Sequence, residues 1–539
     1  MAILQRLFAG YLQGLTSFFS LEYLMFFLPL AILGYSLTPG KLKRYALLLG
    51  SLGFFFLISG KLVVYLILTA ISAWGFGLWL GSVQKQKNAA VKAAEKPQRK
   101  EIRAQYTRRS RMVMGLASVL HIGALLVLKY SGFFMENVNA VTGADYPVPS
   151  FILPIGISFF TLQAVSYLFD VHSGNIQADR NFFRVALFLA FFPQIVEGPI
   201  CRYGQTADQL WNVGAITGEN LTLGLQRILY GMMKKIVVAD RLNAFVGAVF
   251  MDYADLPGGV IALGALCYTI QLYMDFSGAM DAVAGTGQIF GISMPENFKR
   301  PFFSKTISEF WTRWHISLGA WFRDLIFYPV TMSKAMKNLT SFARKRFGSH
   351  FGPLAAGSVA LFCVWFSNGL WHGAAWNYIF FGIYHFVLIL TGKLFAPAAR
   401  GFHERFRIQP ESRPFRVFQI LRTGVLVVIG ELFFRADGFT NGIRMFLRMV
   451  CAPRLRSVNT ELLTTLGMDP ADLLITAVTL LIVFAVSLAN ERGICLRQEL
   501  QKKPTLVRWA AVYAIVFYIL IFGAYGQGYI PVDPMYANF

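Results

Sequence analysis

The sequence predicts an all-α integral membrane protein of about ten to twelve spanning helices, at roughly 20 residues per crossing, with additional re-entrant or broken helices. Three observations carry this expectation. Of 539 residues, 55% are hydrophobic, 15% aromatic and only 14% charged, whereas a soluble domain carries roughly 25% charged residues. The apolar runs are continuous rather than periodic, which makes lipid the solvent. The basic residues behind the net charge of +22 gather in short segments between those runs, as on a cytoplasmic membrane face, so the charge does not indicate nucleic acid. Cys201, Cys267, Cys363, Cys451 and Cys495 show neither metal-ligand spacing nor a disulfide pattern, and read as small buried hydrophobes.

The whole chain, 1–539, reads as a single multi-span domain. A first apolar stretch at Leu21–Leu37 has no small-residue cleavage site after it, and is expected to be a retained span. Spans follow near Tyr45–Ile58, Leu62–Leu80 and Met112–Phe134. The segment 82–111 holds Lys85, Lys87, Lys92, Lys96, Arg99, Lys100, Arg103, Arg108, Arg109 and Arg111 against Glu95 and Glu101 alone, and is expected to be a basic cytoplasmic loop. Lys41, Lys43 and Arg44 then fall on the same side, which puts the N-terminus outside. In the second half, the basic segments Lys393–Arg416 and Glu491–Arg508 separate spans near Val417–Phe434, Leu473–Leu488 and Trp509–Phe522, which places the C-terminus outside as well. Between Phe151 and Phe303 the apolar runs are interrupted by Pro154, Pro193, Pro199 and glycines. Such interruptions are tolerated at membrane depth where broken helices line an enclosed cavity. No internal repeat is evident, against a transporter built from two matching halves.

Chemistry is expected where polar residues meet apolar surroundings. No Asp, Glu, Lys or Arg occurs from Phe351 to Gly392, yet His372 stands there within Asn368-Gly369-Leu370-Trp371-His372-Gly373-Ala374-Ala375-Trp376. An ionisable residue in such a stretch is functional by default, although a neutral imidazole also fits a packed, hydrogen-bonded core. Gly369, Gly373, Ala374 and Ala375 allow close approach of backbone or substrate. A second candidate is His315. On a helical wheel over Ile307–Val330 it shares a face with Trp311, Trp314, Leu318 and Phe322, while Glu309 and Arg313 pair on another. An amphipathic helix interface would explain that placement equally well. Asp275 and Asp281 lie in the apolar run Tyr268–Gly291 and need partners; they tie helices together or orient a histidine. His385 lies thirteen residues beyond His372 and is expected to face another way on one continuous helix, as a supporting group.

The chain has no G-x-S-x-G elbow, P-loop, dinucleotide-binding glycine pattern or H-E-x-x-H. No metal site and no permanently bound cofactor are expected. A membrane enzyme without these can still transfer an acyl group, with a histidine as general base for attack of a hydroxyl on a thioester carbonyl, worth roughly 10²–10⁴-fold.

The runs GISFFTLQAVSYLFDV (Gly156–Val171), FFPQIVEGPICR (Phe191–Arg202), YTIQLYMDFSG (Tyr268–Gly278), PENFKRPFFSKTISEFWTRWHISLGAWFRD (Pro295–Asp324) and NGLWHGAAWNYIFFGIYH (Asn368–His385), with the later Phe433-Phe434-Arg435-Ala436, resemble the membrane-bound O-acyltransferase family. Within it, their order and wording are nearest to the bacterial alginate O-acetylase type. The resemblance implies a helical ring around a tunnel that joins a cytoplasmic donor side to an extracytoplasmic acceptor side, in a bacterial cell membrane. It assigns His372 as general base or acyl-handling residue and His315 as its partner. Trp314, Trp371, Asn368, Trp376, Asp275, Arg323 and Asp324 are the candidates for binding substrate or supporting the histidines. It further implies acetyl-CoA or another acyl thioester as donor substrate, membrane lipid as surroundings, an exopolysaccharide or wall polysaccharide as acceptor, and a separate extracytoplasmic SGNH-hydrolase-like transferase as partner. D-alanyl transfer to teichoic acid and a polytopic transporter or flippase are the alternatives. The tail GYIPVDPMYANF departs from the aromatic ending common in alginate-type relatives, as does Met280 at an often polar position, which leaves acceptor and partner open.

Overall fold

The computed structural model describes residue 15, residues 17–525 and residues 529–532. The sides of the membrane expected for the two termini, and most of the unusual tail, lie outside these residues. Every element described is helical, apart from one isolated bridge between Phe298 and Trp314. Among the described residues, eight stretches are long and apolar enough to cross a membrane: Gly40–Ala93, Arg99–Thr142, Gly258–Ile289, Lys334–His372, Trp376–Leu394, Arg413–Arg435, Pro470–Glu491 and Thr505–Phe522. The protein is thus a multi-pass, all-helical membrane protein. Gly40–Ala93 contains two of the expected spans, because helix Lys43–Ser59 ends at Gly60, whose φ of +54° turns the chain before helix Val63–Ala93. A shorter apolar helical run, Glu22–Leu37, covers the first expected span.

The basic segment 82–111 is not a loop. Helices Val63–Ala93 and Arg99–Thr142 run through it and leave only 94–98 as the turn. Lys, Arg, Gln and Ala are good helix formers, so the polar composition that ends the apolar run does not end the helix. At 31 residues the first of these helices is about 46 Å long, against roughly 30 Å of hydrocarbon, so its basic end projects beyond an apolar layer. The expected breakage in the middle is present: residues 157–211 form helices of 17, 9, 4 and 9 residues, with Pro193 opening the shortest.

The chain divides into two compact units. The first takes in the chain up to Ile228 and Ala279–Pro295; the second holds Leu229–Gly278 and Glu296–Val532. In the first, helix Ile157–Ser173 is buried at 14 of its 17 residues, the pattern of a helix enclosed on all sides. Asp281 there is paired with Arg227 at 2.9 Å. The second unit holds both candidate histidines. The apolar window of helix Gly258–Ile289 is 72% buried, which identifies it as an interior helix and explains how it carries acidic side chains. Among the cysteines, Cys201 and Cys267 are buried as expected, but Cys451 is exposed near the end of helix Phe439–Cys451.

Candidate active site

His372 is the last residue of helix Phe351–His372, and the turn Gly373–Ala375 leads into helix Trp376–Leu394. The small residues let these two helices touch along their backbones. A Cβ on Gly369 would stand 2.5 Å from the Tyr378 carbonyl oxygen, and one on Gly382 would collide with the Trp365 carbonyl. The imidazole of His372 is thereby held at a fixed depth, edge-on to Phe434 at 5.0 Å and against Trp371 at 4.9 Å between ring centroids.

His315 is placed differently. The single helix expected over Ile307–Val330 is broken: Ile307–Arg313 and Ile316–Phe322 are separate, Trp314 is extended, and His315 is left-handed with φ 47° and ψ 52°. A non-glycine residue held there costs of order 1–3 kcal/mol, and such strain clusters at functional sites. The break is supported from outside the segment. The Asn297 carbonyl accepts the Ile316 N–H at 3.0 Å, and the Lys299 N–H donates to the Arg313 carbonyl at 2.9 Å. The Asn297 side-chain oxygen accepts from the Ser317 backbone N–H at 3.0 Å and from its hydroxyl at 2.9 Å. Those donors fix which end of the amide is oxygen, so the contact at 3.3 Å between Asn297 Oδ1 and His315 Nδ1 has the imidazole as donor. A neutral histidine donating from Nδ1 carries its basic lone pair on Nε2. Burial pushes the His315 pKa down to about 3, so this group, outside the eight spanning stretches, is neutral.

Despite the break, Trp311, Trp314, His315, Leu318 and Phe322 meet again on the wall of one cavity of about 60 Å³, opposite Trp365, Asn368 and His372. By the same measure a single water needs roughly 10–15 Å³, so the space suits a group of a few heavy atoms. Trp371 packs against both imidazoles, 5.5 Å from His315 and 4.9 Å from His372. Asn368 is 7% exposed, and its Oδ1 has no hydrogen-bond partner among the described residues, which leaves a buried amide for an incoming polar group. Among the described residues, no side chain lining the cavity is acidic or basic other than the two histidines.

The remaining sequence candidates divide sharply. Trp314 belongs to the wall and is locked by Phe298 at 5.0 Å and Phe310 at 5.4 Å. Asp275 does not reach the cavity: it pairs with Lys235 at 2.9 Å, which also holds Asp240 at 2.9 Å. Its neighbour Phe276, by contrast, packs on His315 at 4.9 Å. Arg323 and Asp324 pair with each other at 2.9 Å with side chains 56% and 30% exposed, and Trp376 is 57% exposed; none of the three lines the cavity. His385 is not on one continuous helix with His372, because the chain turns at Gly373–Ala375; it accepts a hydrogen bond from the Trp311 indole at 3.2 Å. Asn297, Phe276 and Trp365 were not singled out from the sequence. The only signal for Asn297 was its place inside the run Pro295–Asp324, and its role needs a contact that spacing does not reveal.

Residues 156–344 match the family described as MBOAT, membrane-bound O-acyltransferase. The chain is 30% identical over 469 residues, 86% of its length and 80% of the relative's, to "Probable alginate O-acetylase AlgI" of Pseudomonas syringae pv. tomato. It is 28% identical to the peptidoglycan O-acetyltransferase of Helicobacter pylori, over 63% of this chain and 64% of that protein. The teichoic acid D-alanyltransferase of Bacillus subtilis is also 28% identical, over 54% of this chain and 71% of that one.

Proposed function

From the premise that this chain belongs to the membrane-bound O-acyltransferase family and is an acyltransferase, we propose that it moves an acetyl group from cytoplasmic acetyl-CoA toward hydroxyls of an extracellular or wall polysaccharide. The observation that carries this reading is the small uncharged cavity shared by His315 and His372. His372 acts as general base. It takes the proton of the acceptor hydroxyl as that oxygen attacks the thioester carbonyl carbon to give an oxyanion. Collapse breaks the C–S bond, and the proton returns from His372 to the departing thiolate. His315, oriented by Asn297, presents Nε2 to the same space and positions the acyl group. Low dielectric around these groups strengthens each hydrogen bond made to the developing charge.

The helical basic hairpin 82–111 faces the cytoplasm of a bacterial cell in this scheme, and a tunnel brings the donor from that side. The immediate acceptor is either the polymer or an extracytoplasmic SGNH-hydrolase-like transferase that makes the final ester. Likeness to a D-alanyltransferase raises that donor as a second reading. An alanyl group brings an ammonium, and the cavity offers no carboxylate to receive it, which favours acetyl. Mass spectrometry of the envelope polymers from cells with the unaltered chain, His372→Ala or no protein tests the reading. Ester-linked acetyl is expected only with the unaltered chain, at equal protein level in the membrane. Normal acetylation by His372→Ala would remove the histidine from the chemistry.

A further inference from the structure

One buried histidine has no part in this chemistry. His385 is fully buried and lies behind the cavity wall rather than on it. Its Nδ1 accepts the indole N–H of Trp311 at 3.2 Å, and Trp311 does line the cavity. Indole nitrogen only donates, so Nδ1 here carries no proton and the imidazole serves as an acceptor. The ring is also packed by Trp365 at 5.3 Å and Phe381 at 4.7 Å, and a Cβ on Gly430 would come within 2.9 Å of Nε2. Trp311 in turn meets Trp365 edge-on at 4.9 Å. The wall beside the two cavity histidines is therefore a pair of indoles, one fixed by a specific hydrogen bond and both clamped by packing.

We infer that His385 is a positioning residue that fixes the Trp311 indole as the stop limiting the length of the acyl group the cavity accepts. The inference rests on the acyl-transfer reading above and adds to it which residues set acyl length. Without the acceptor, a buried indole N–H is left unsatisfied, and the side chain turns to find a partner. Trp311 lines the cavity, so that movement enlarges the space open to the acyl group. An apolar wall discriminates by roughly 10–200-fold per methylene, so its loss is measurable as a ratio of products.

The test uses the full chain in its native membranes, supplied with equal acetyl-CoA and butyryl-CoA, with polymer-bound acyl groups read by mass spectrometry. The unaltered chain is expected to install acetyl over butyryl. His385→Leu keeps apolar bulk but removes the acceptor, and should lower the acetyl-to-butyryl ratio by about tenfold or more. His385→Asn, whose side-chain oxygen can stand close to the place of Nδ1, should keep the ratio within about twofold. Gly430→Ala displaces the imidazole from behind and should shift the ratio in the same direction as His385→Leu, so the inference stays testable if one variant fails to fold. A purely structural role would lower both products together and leave their ratio unmoved. An unchanged ratio in His385→Leu and Gly430→Ala, with acetyl still installed, overturns the inference. So does loss of preference in His385→Asn as complete as in His385→Leu. If polymer acetyl does not depend on the unaltered chain at all, the function reading falls and this inference with it.

Discussion

Asp275 and Phe276 are neighbours on one buried helix, yet they serve two unlike polar regions. Asp275 meets Lys235 at 2.9 Å, Lys235 also meets Asp240, and close by in the chain Arg241 pairs with Asp472. There each ionisable group meets one of opposite sign, with Lys235 shared by two carboxylates. Phe276 packs on His315, in a region whose polar groups are two imidazoles and an amide around a void. The difference separates architecture from chemistry inside an apolar protein. A charge buried for good must be neutralised by a partner, or it destabilises the fold. An imidazole that is to take up a proton must be neutral at rest, with room in front of it.

The contrast is broken most severely at Lys235. Lys235→Met leaves Asp240 and Asp275 buried together without their shared cation, and should destabilise the protein by about 3–5 kcal/mol, seen as loss of folded protein in the membrane. Adding Asp275→Leu removes one of the stranded carboxylates and should recover part of that loss in a thermal-shift measurement. If the single variant is as stable as the unaltered chain, the cluster is not what holds these helices together.

The same contrast is sharpened at His315 by separating backbone from imidazole. Asn tolerates the left-handed conformation better than most residues, so His315→Asn should keep the turn and the unfolding temperature. Acyl transfer should nevertheless fall at least a hundredfold, about 2.7 kcal/mol in activation free energy. A comparable drop in melting temperature would assign His315 to architecture, with the Lys235 cluster.

How far these regions were legible in the sequence follows from the same division. The uncharged run 351–392 and its two histidines, His372 and His385, can be seen by reading along the chain, because burial in lipid excludes charge over a continuous stretch. The aromatic set from Trp311 to Phe322 was also readable, though for a partly mistaken reason: the wheel assumed one helix, while the structure gathers the same residues around a break. That break depends on Asn297, which takes up the donors of a segment eighteen residues away, and no local pattern announces it. The apolar runs end well inside helices 63–93 and 99–142, because membrane sidedness and helix continuity are set by different properties. The turn at Gly373–Ala375 puts His385 on a separate helix from His372, which their spacing along the chain does not reveal.

The smallest effect is expected at Arg323 and Asp324, and it bounds the cavity from outside. Their ion pair measures 2.9 Å, but the side chains are 56% and 30% exposed, and exposed pairs contribute about 0–1 kcal/mol. Neither residue lines the cavity, while Phe322, just before them, does. Arg323→Gln should therefore leave the melting temperature nearly unchanged and acyl transfer within about twofold, since only a screened surface attraction is lost. A loss as large as that of His315→Asn would mean that the donor's anionic groups are gripped at this rim on the way in, and the boundary of the site would have to be moved outward from Phe322 to include it.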